Sequence, residues 1–302
     1  MKDLTVCILT HNRGEMLLEA IESVLNNNYH NFRFVVSDNS CNDHTEELLK
    51  EKNLIGCFEY RKRDKEYPAV EHFNLCLSEI DTEYFVLFHD DDIILPEYIG
   101  TMYKLIKNSV YVAVGCNAFY LYGDVWSRRK MRKSKRDLVL KNGKEIATEY
   151  CNENIVPFPS YMYSKTRLVN CLFSNEFGKY SDVLWLLKIL KKGPIRWSAC
   201  PLMYYRLHDT QDSSRIDYAN QIKLMRCFSN EGVNKTVLYK YRLSLLYMRL
   251  CDELKNTSKI SLYKKRQILL LKRKSFIKYV KIKIKHFFFK RTAYRNNVID
   301  NK

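Results

Sequence analysis

The sequence predicts an α/β protein: an open, mostly parallel, doubly wound sheet with a mixed second subsheet, followed by a helical, basic C-terminal tail. Three observations carry this. Strand-like and helix-like patterns alternate about four times within the first 100 residues, as in chains that lay helices on both faces of a parallel sheet. The strand-like runs at 4–9, 32–36 and 84–88 end in polar clusters, and in such sheets ligands sit outside the carboxyl ends of the strands. The charge is also split. Residues 221–302 hold 22 Lys and Arg against 4 Asp and Glu, whereas residues 1–220 hold 29 against 30.

The elements follow in order. Residues 4–9 (LTVCIL) are a short apolar run and read as a buried strand. Thr10 to Gly14 forms a turn. Met16, Leu17, Ala20, Ile21, Val24 and Leu25 recur at helical spacing over 15–27. A second strand at 32–36 ends in the turn Ser37, Asp38, Asn39, Ser40. A helix at 43–50 carries acidic residues early and Lys50 last, as the helix dipole favours. A third strand at 58–61 and a helix at 67–78 lead to 84–88 (YFVLF), which reads as a strand buried on both faces. It stops at His89, Asp90, Asp91 and Asp92. From 109 to 165 the pattern loosens into a mixed second sheet. Seven of the nine residues 128–136 are basic. This stretch reads as a solvated loop, the alternative being a loop that grips a phosphorylated lipid or acidic glycan. A helix at 181–190 opens with Ser181 and Asp182, and 200–208 is strand-like. Beyond about 218 the pattern is helical. The expected division is a body of 1–218 and a helical basic region of 219–302.

Composition narrows the function. A chain of 302 residues with 46% hydrophobic and 13% aromatic residues has room for a sizeable core and is not wholly disordered. No run of 18 apolar residues suits a membrane span. The start, Met1, Lys2, Asp3, passes into a strand without a signal-peptide core, so a cytoplasmic, reduced setting is expected for the 10 cysteines. They form no CxxC pair, which argues against a zinc ribbon. Neither GxGxxG nor GxxxxGK[ST] occurs, which argues against a dinucleotide fold and a P-loop.

Asp90, Asp91 and Asp92 are the most informative residues. Acidic runs commonly face solvent or cap helices, but these three follow an apolar strand at the ligand edge of the sheet. Carboxylates so close repel one another unless a cation intervenes. Their oxygen donors suit Mg²⁺ or Mn²⁺, which commonly bridges to phosphate oxygens. Arg206 offers a planar fork for such phosphates, and His208 suits either a phosphate contact or the metal shell.

The ordered set Thr10-His11-Asn12, Ser37-Asp38-Asn39-Ser40 with Asp43, Asn74, Asp90-Asp91-Asp92 with Pro96, and Ser181-Asp182 resembles the inverting family 2 glycosyltransferases of GT-A fold. The likeness covers roughly residues 3–210 and is clearest in the first 100. It implies a nucleotide-diphosphate sugar, with Thr10 and His11 at the base and ribose and Asp38 accepting from the base, typically uracil. Asn12 and Asn74 belong to the same donor-binding set. His11 stands where the family has Tyr, Ser37 replaces the family's first Asp, and Asn39 replaces a Gly, with Asn able to keep a left-handed turn. Counting back from Pro96, Asp91 falls on the second Asp of the metal motif and His89 on the first. The resemblance makes Asp91 the leading metal ligand. Asp90 or Asp92 then contacts the donor sugar or supports the metal through water, with Asp92 and His208 completing the expected metal set. Asp182 is implied as the base that takes the acceptor proton, with Ser181 where the family has Glu. The Tyr205-Arg206-Leu207-His208 pattern resembles the family's donor-side loop.

The expected activity is metal-dependent, inverting sugar transfer from a UDP-linked donor to a glycan or lipid-linked oligosaccharide in cell-surface polysaccharide synthesis. Two other readings compete. A nucleotidyltransferase would want a Gly-rich, basic loop after strand one, which residues 10–14 lack. A non-catalytic module of the same fold fits Ser37 and Ser181 standing in place of acids. In the tail, a helix over 276–287 would place Phe276, Val280, Ile284 and Phe287 on one face and Lys278, Lys281 and Lys285 on another. That is the pattern of a helix lying on an anionic membrane, here the cytoplasmic face, the alternative being a helix packed on the body with snorkelling lysines; no nucleic-acid partner is expected.

Overall fold

The computed structural model describes residues 2–208, 211 and 216–256. In chain order the elements are β1 (Leu4–Thr10), α1 (Gly14–Leu25), β2 (Arg33–Asp38), α2 (His44–Glu51), β3 (Glu59–Lys62), α3 (Ala69–Glu79), β4 (Tyr84–His89), β5 (Ile93–Ile94), α4 (Tyr98–Ile106), β6 (Ala113–Tyr122), β7 (Val125–Lys130), β8 (Leu138–Leu140), α5 (Gly143–Cys151), β9 (Met162–Ser164), α6 (Ser181–Ile189), β10 (Ile195–Leu207), α7 (Tyr218–Asn230) and α8 (Lys235–Asn256). The chain divides into two compact units, Met1–Gly232 and Val233–Lys302. The second contains α8. The face expected at 276–287 lies outside the described residues.

The first unit is built on one ten-stranded sheet in the order β3-β2-β1-β4-β9-β6-β10-β5, with β7 on β6 and β8 on β10. Strands β1 to β4 pair in parallel, as the βα alternation predicts. The second half is mixed: β9 runs antiparallel to both β4 and β6, while β6 and β10 are parallel. The mixed part is therefore continuous with the parallel part, and the three residues of β9 are the seam. All of β1 is buried, and so are Tyr84 to Phe88 of β4, so both strands are covered on both faces. Burying apolar area here supplies the main favourable term.

Two close approaches shape the frame. A Cβ on Gly14 would sit 2.8 Å from Leu48 Cδ2, so glycine lets α1 lie against α2. Beside the site, Phe158 joins Phe73, Phe173 and Trp185 in an aromatic cluster that seats α6 on the sheet.

The basic stretch 128–136 departs from the solvated loop expected of it. Its first three residues lie in β7, and Arg132 is completely buried. Asn39 departs too. It does not adopt a left-handed turn; Asn12 does, with φ 57°. Asn39 instead uses its amide to bridge the Tyr67 backbone, donating to its carbonyl at 2.8 Å and accepting from its N–H at 2.9 Å.

Candidate functional site

The site follows from strand register. In β1–β2 pairing Thr10 lies beside Asp38, and in β1–β4 pairing Leu9 lies beside His89. The carboxyl ends of three adjacent strands thus bring Thr10, Asp38 and the carboxylate triplet to one edge. The two residues of β5 follow Asp92 directly and pair with Met203 and Tyr204 of β10, which carries Arg206 and His208 to the same place.

The three carboxylates have different surroundings. Asp90 accepts from Thr10 Oγ1 at 2.7 Å and from the His11 N–H at 3.2 Å. Burial and the neighbouring Asp91 charge push its carboxyl up to about 6. Asp91 accepts from Arg13 Nη1 at 2.6 Å, and His208 Nε2 lies 3.0 Å from the same oxygen. Burial acts to raise Asp91, but His89, His208 and Arg13 outweigh it and hold the carboxyl below its ordinary value. Asp92 accepts from the Arg206 backbone N–H at 2.9 Å through Oδ1, while its Oδ2 is buried without a hydrogen-bond partner. Burial, then Asp91, raises it far above the carboxylate range.

His89, Asp91 and Asp92 can each offer one donor atom within 4.8 Å of the others. Two carboxylates and an imidazole, one carboxylate oxygen unpaired, fit a divalent cation such as Mn²⁺ or Mg²⁺. His208 stands beside this group through Asp91. Asp90 faces β1 instead.

The other expected residues fall as follows. His11 is half exposed with Nε2 3.0 Å from Glu66. The Asn12 N–H donates to Ser40 Oγ at 2.9 Å, and its side chain meets His11 and Asn42. Asp38 is fully buried; it accepts from Tyr60 Oη at 2.6 Å and from the Ser40 N–H at 2.9 Å. Asn74 is engaged elsewhere, donating to the Phe173 carbonyl at 3.1 Å and accepting from its N–H at 2.8 Å. Arg206 does not offer its fork outward. Its guanidinium donates to the Asp91 carbonyl, the Gly123 carbonyl and Glu19 at 2.8–3.0 Å, so it braces the triplet from inside. Ser37, fully buried, bonds His72 Nε2 at 2.6 Å and accepts from Arg63 Nε at 2.9 Å.

Asp182 opens α6, where the dipole favours a carboxylate. Its Oδ1 accepts from the Val183 N–H at 2.7 Å, yet burial pushes its carboxyl up to about 6. Phe158 links the two parts of the site: its ring centroid lies 5.8 Å from His89 and 6.2 Å from Trp185 of α6.

Arg13 is the residue the sequence reading passed over. A signal was present: the dipole disfavours a cation at a helix start, and Arg13 immediately precedes α1. Its guanidinium bonds Asp91 and lies 3.0 Å from His208 Nε2.

Known proteins bear on this arrangement. The family described as Glycosyl transferase family 2 matches residues 5–169, more than half of the chain. No curated protein matches in sequence. Among solved structures, S. aureus TarS 1-349 in complex with UDP-GlcNAc is similar with a TM-score of 0.59 and 15% identity, over 89% of this chain and 79% of that one. A mannosyltransferase from Pyrobaculum calidifontis, PcManGT, in complex with GDP-Man and Mn²⁺, is similar with a TM-score of 0.58 and 13% identity, over 99% and 88%. At these identities the structures establish a shared fold, while the family match goes further: the chain belongs to glycosyl transferase family 2 and is a glycosyltransferase of GT-A fold.

Proposed function

We propose that the chain transfers a sugar from a nucleotide-diphosphate sugar, UDP-linked, to a hydroxyl of a glycan or lipid-linked oligosaccharide, with inversion at the anomeric carbon, in cell-surface polysaccharide synthesis. The observation that carries the reading is the pairing of a cation-competent group, His89, Asp91 and Asp92, with a partly buried carboxyl, Asp182, at a helix start linked to it through Phe158.

Asp182 takes the proton of the acceptor hydroxyl as the oxygen attacks the anomeric carbon. The bond from that carbon to the diphosphate oxygen breaks, and the nucleoside diphosphate leaves from the opposite side. His89, Asp91 and Asp92 would hold a divalent cation, which when bound would supply charge stabilisation for the leaving diphosphate. Arg13 and His208 add donors on the same side. Arg206 keeps the triplet in position. Thr10, His11 and Asn12 border the nucleotide, and Asp38 supports it from beneath by shaping the loop with Ser40 and Tyr60. Asn74 supports the donor pocket through the Phe173 backbone.

The test is Mn²⁺-dependent hydrolysis across a set of nucleotide sugars by the parent protein and by Asp91→Asn. The parent hydrolyses a UDP sugar and loses turnover on chelation. Asp91→Asn loses several kcal/mol of transition-state stabilisation, about 10²-fold or more in rate. Parent-like turnover by Asp91→Asn, or no turnover of any UDP sugar, would overturn the reading.

A further inference from the structure

Trp126 differs from the other tryptophans. Of the three in the chain, Trp185 and Trp197 are completely buried, while Trp126 is 56% exposed. Scattered exposed apolar residues are ordinary, but this one is held in place. It lies in β7, opposite Leu121 of β6. Its ring meets Tyr204 of β10 edge to face, centroids 4.5 Å apart, and Tyr204 lies 5.5 Å from Phe119 of β6. The three rings form a row across β7, β6 and β10, and the indole that ends the row stays open to solvent.

The row belongs to the site by face, by edge and by anchor. Val114, Cys116, Ala118 and Met203 join α1 and α4 in the core on one face of the sheet. Phe119 and Tyr204 pair with each other and follow Ala118 and Met203. With alternating side chains they take the opposite face, and Trp126 takes it with them. Gly115 is on that face as well: a Cβ there would stand 2.9 Å from Tyr161, whose ring lies 6.5 Å from Phe158 in the cluster that seats α6 and Asp182. Because β9 runs antiparallel to both β4 and β6, β6 ends at the same sheet edge as β4 and its carboxylates. There one guanidinium ties the turn between β6 and β7 to the triplet. Arg206 donates to the Gly123 carbonyl at 3.0 Å and to the Asp91 carbonyl at 2.9 Å. Tyr204 itself pairs with Ile93, the residue after Asp92.

A sugar ring carries C–H groups on its faces and hydroxyls on its rim. The negative face of an indole attracts those hydrogens, and the contact removes apolar area from water while the hydroxyls stay solvated. Nucleotide binding falls to the ends of β1 and β2, on the far side of β4 from β6 and β7, so a ring that reaches Trp126 belongs to the acceptor. We propose that Trp126 is an acceptor subsite on which a sugar ring stacks: the molecule whose hydroxyl meets Asp182 is a glycan, or carries one, and is not a bare lipid phosphate. Tyr204 and Phe119 are positioning residues that hold the indole. The proposal rests on the sugar-transfer reading and adds the part of the acceptor that is recognised.

The experiment uses the full chain with Mn²⁺ and saturating UDP. Cellotetraose, chitotetraose and maltotetraose are titrated while tryptophan emission is followed. Trp185 and Trp197 are closed to solvent, so a change reports Trp126. The parent's emission shifts saturably with at least one of the three, and calorimetry gives the affinity. Trp126→Ala weakens that affinity about tenfold. Trp126→Tyr, which keeps a flat ring, recovers most of it, and Trp126→Leu, apolar without a ring, does not. Val125→Ala, at the exposed neighbour, leaves it unchanged. Melting curves report whether each variant is folded, and if Trp126→Ala is not, the difference between Trp126→Tyr and Trp126→Leu decides. Equal affinity in the parent and the folded Trp126 variants overturns the proposal. So does an emission shift on phosphatidylglycerol vesicles with none on the oligosaccharides, which assigns the indole to lipid. A parent that hydrolyses a nucleotide sugar but responds to no oligosaccharide overturns this proposal alone. A parent that neither hydrolyses a nucleotide sugar nor binds UDP removes the sugar-transfer reading, and this proposal with it.

Discussion

At the residue scale the site works by giving like side chains unlike surroundings. Asp182 and Asp90 are both pushed up to about 6, Asp92 is raised further, and Asp91 alone is held low. For Asp182, the proposed base, burial is the leading cause, so its ionised form costs stability. A carboxyl raised in the fold contributes stability that is full below its unfolded value, 3.8, and is lost as pH rises through about 6. Asp182→Asn removes that loss. The variant is expected to melt at a higher temperature than the parent at pH 8, with the gain vanishing near pH 4. It should also transfer sugar about 10²-fold or more slowly, with UDP affinity kept, the range for losing a general base. In the parent, transfer should fall as pH drops through about 6. Melting curves at both pH values and a rate profile check this; loss of UDP binding in the variant would place Asp182 in the donor pocket instead. Arg13 supplies a second case. A divalent cation at the proposed site would compete with its guanidinium for the Asp91 oxygen that Arg13 holds at 2.6 Å. Arg13→Gln is expected to bind Mn²⁺ more tightly, roughly tenfold, because a like charge a few ångströms away is removed. Free Mn²⁺ measured by electron paramagnetic resonance reads this directly. Unchanged affinity would mean that the two cations do not share the oxygen.

At the element scale the question is what holds Asp182 at the start of α6. Gly178, three residues before Ser181, has φ 54° and ψ −126°, a conformation open to glycine and strained for other residues. A Cβ there would stand 2.7 Å from Asn220 Nδ2 of α7. Gly178→Ala is expected to cost about 1–3 kcal/mol in urea unfolding and to lower transfer more than UDP binding, since the turn aims α6 rather than the donor pocket. Equal losses in both would show that the turn supports the whole fold. The strands that build the donor edge were legible because they are continuous apolar runs: LTVCIL and YFVLF read as buried strands and are. The seam β9 was not, because three residues carry no period and its partners β4 and β6 are remote in sequence. The same reason hid side-chain roles. Arg206 read as a fork for phosphate until Glu19, Gly123 and the Asp91 carbonyl, distant in the chain, took its donors. Arg132 sits among cations that look alike in sequence, and only the Asn117 side chain, which donates to its carbonyl and accepts from its N–H, distinguishes it. The Thr10, Asp38 and triplet alignment was readable because each residue ends a strand, and parallel register does the rest.

At the scale of the whole molecule the charge split remains to be placed. Among the described residues no helix is long and apolar enough to cross a membrane. Residues 221–302 carry 22 basic and 4 acidic side chains, against 29 and 30 in the rest. If the acceptor is lipid-linked, a transferase gains by being concentrated at the surface where that lipid lies. Lys and Arg near an anionic surface contribute about 1 kcal/mol each, and phenylalanines such as those at 287–289 add apolar insertion. Deleting residues 260–302 is therefore expected to release the protein from anionic vesicles while leaving nucleotide-sugar hydrolysis intact. Full-length binding should weaken as salt rises, because the Debye length shrinks from about 10 Å at 0.1 M to about 3 Å at 1 M, and should weaken on neutral lipid. Vesicle sedimentation across salt and lipid composition measures both, and a fraction retained at high salt would report insertion of the phenylalanines. If the full chain ignores anionic vesicles at low salt, the tail serves another surface. Its removal should then lower the melting temperature, as loss of a packed segment does.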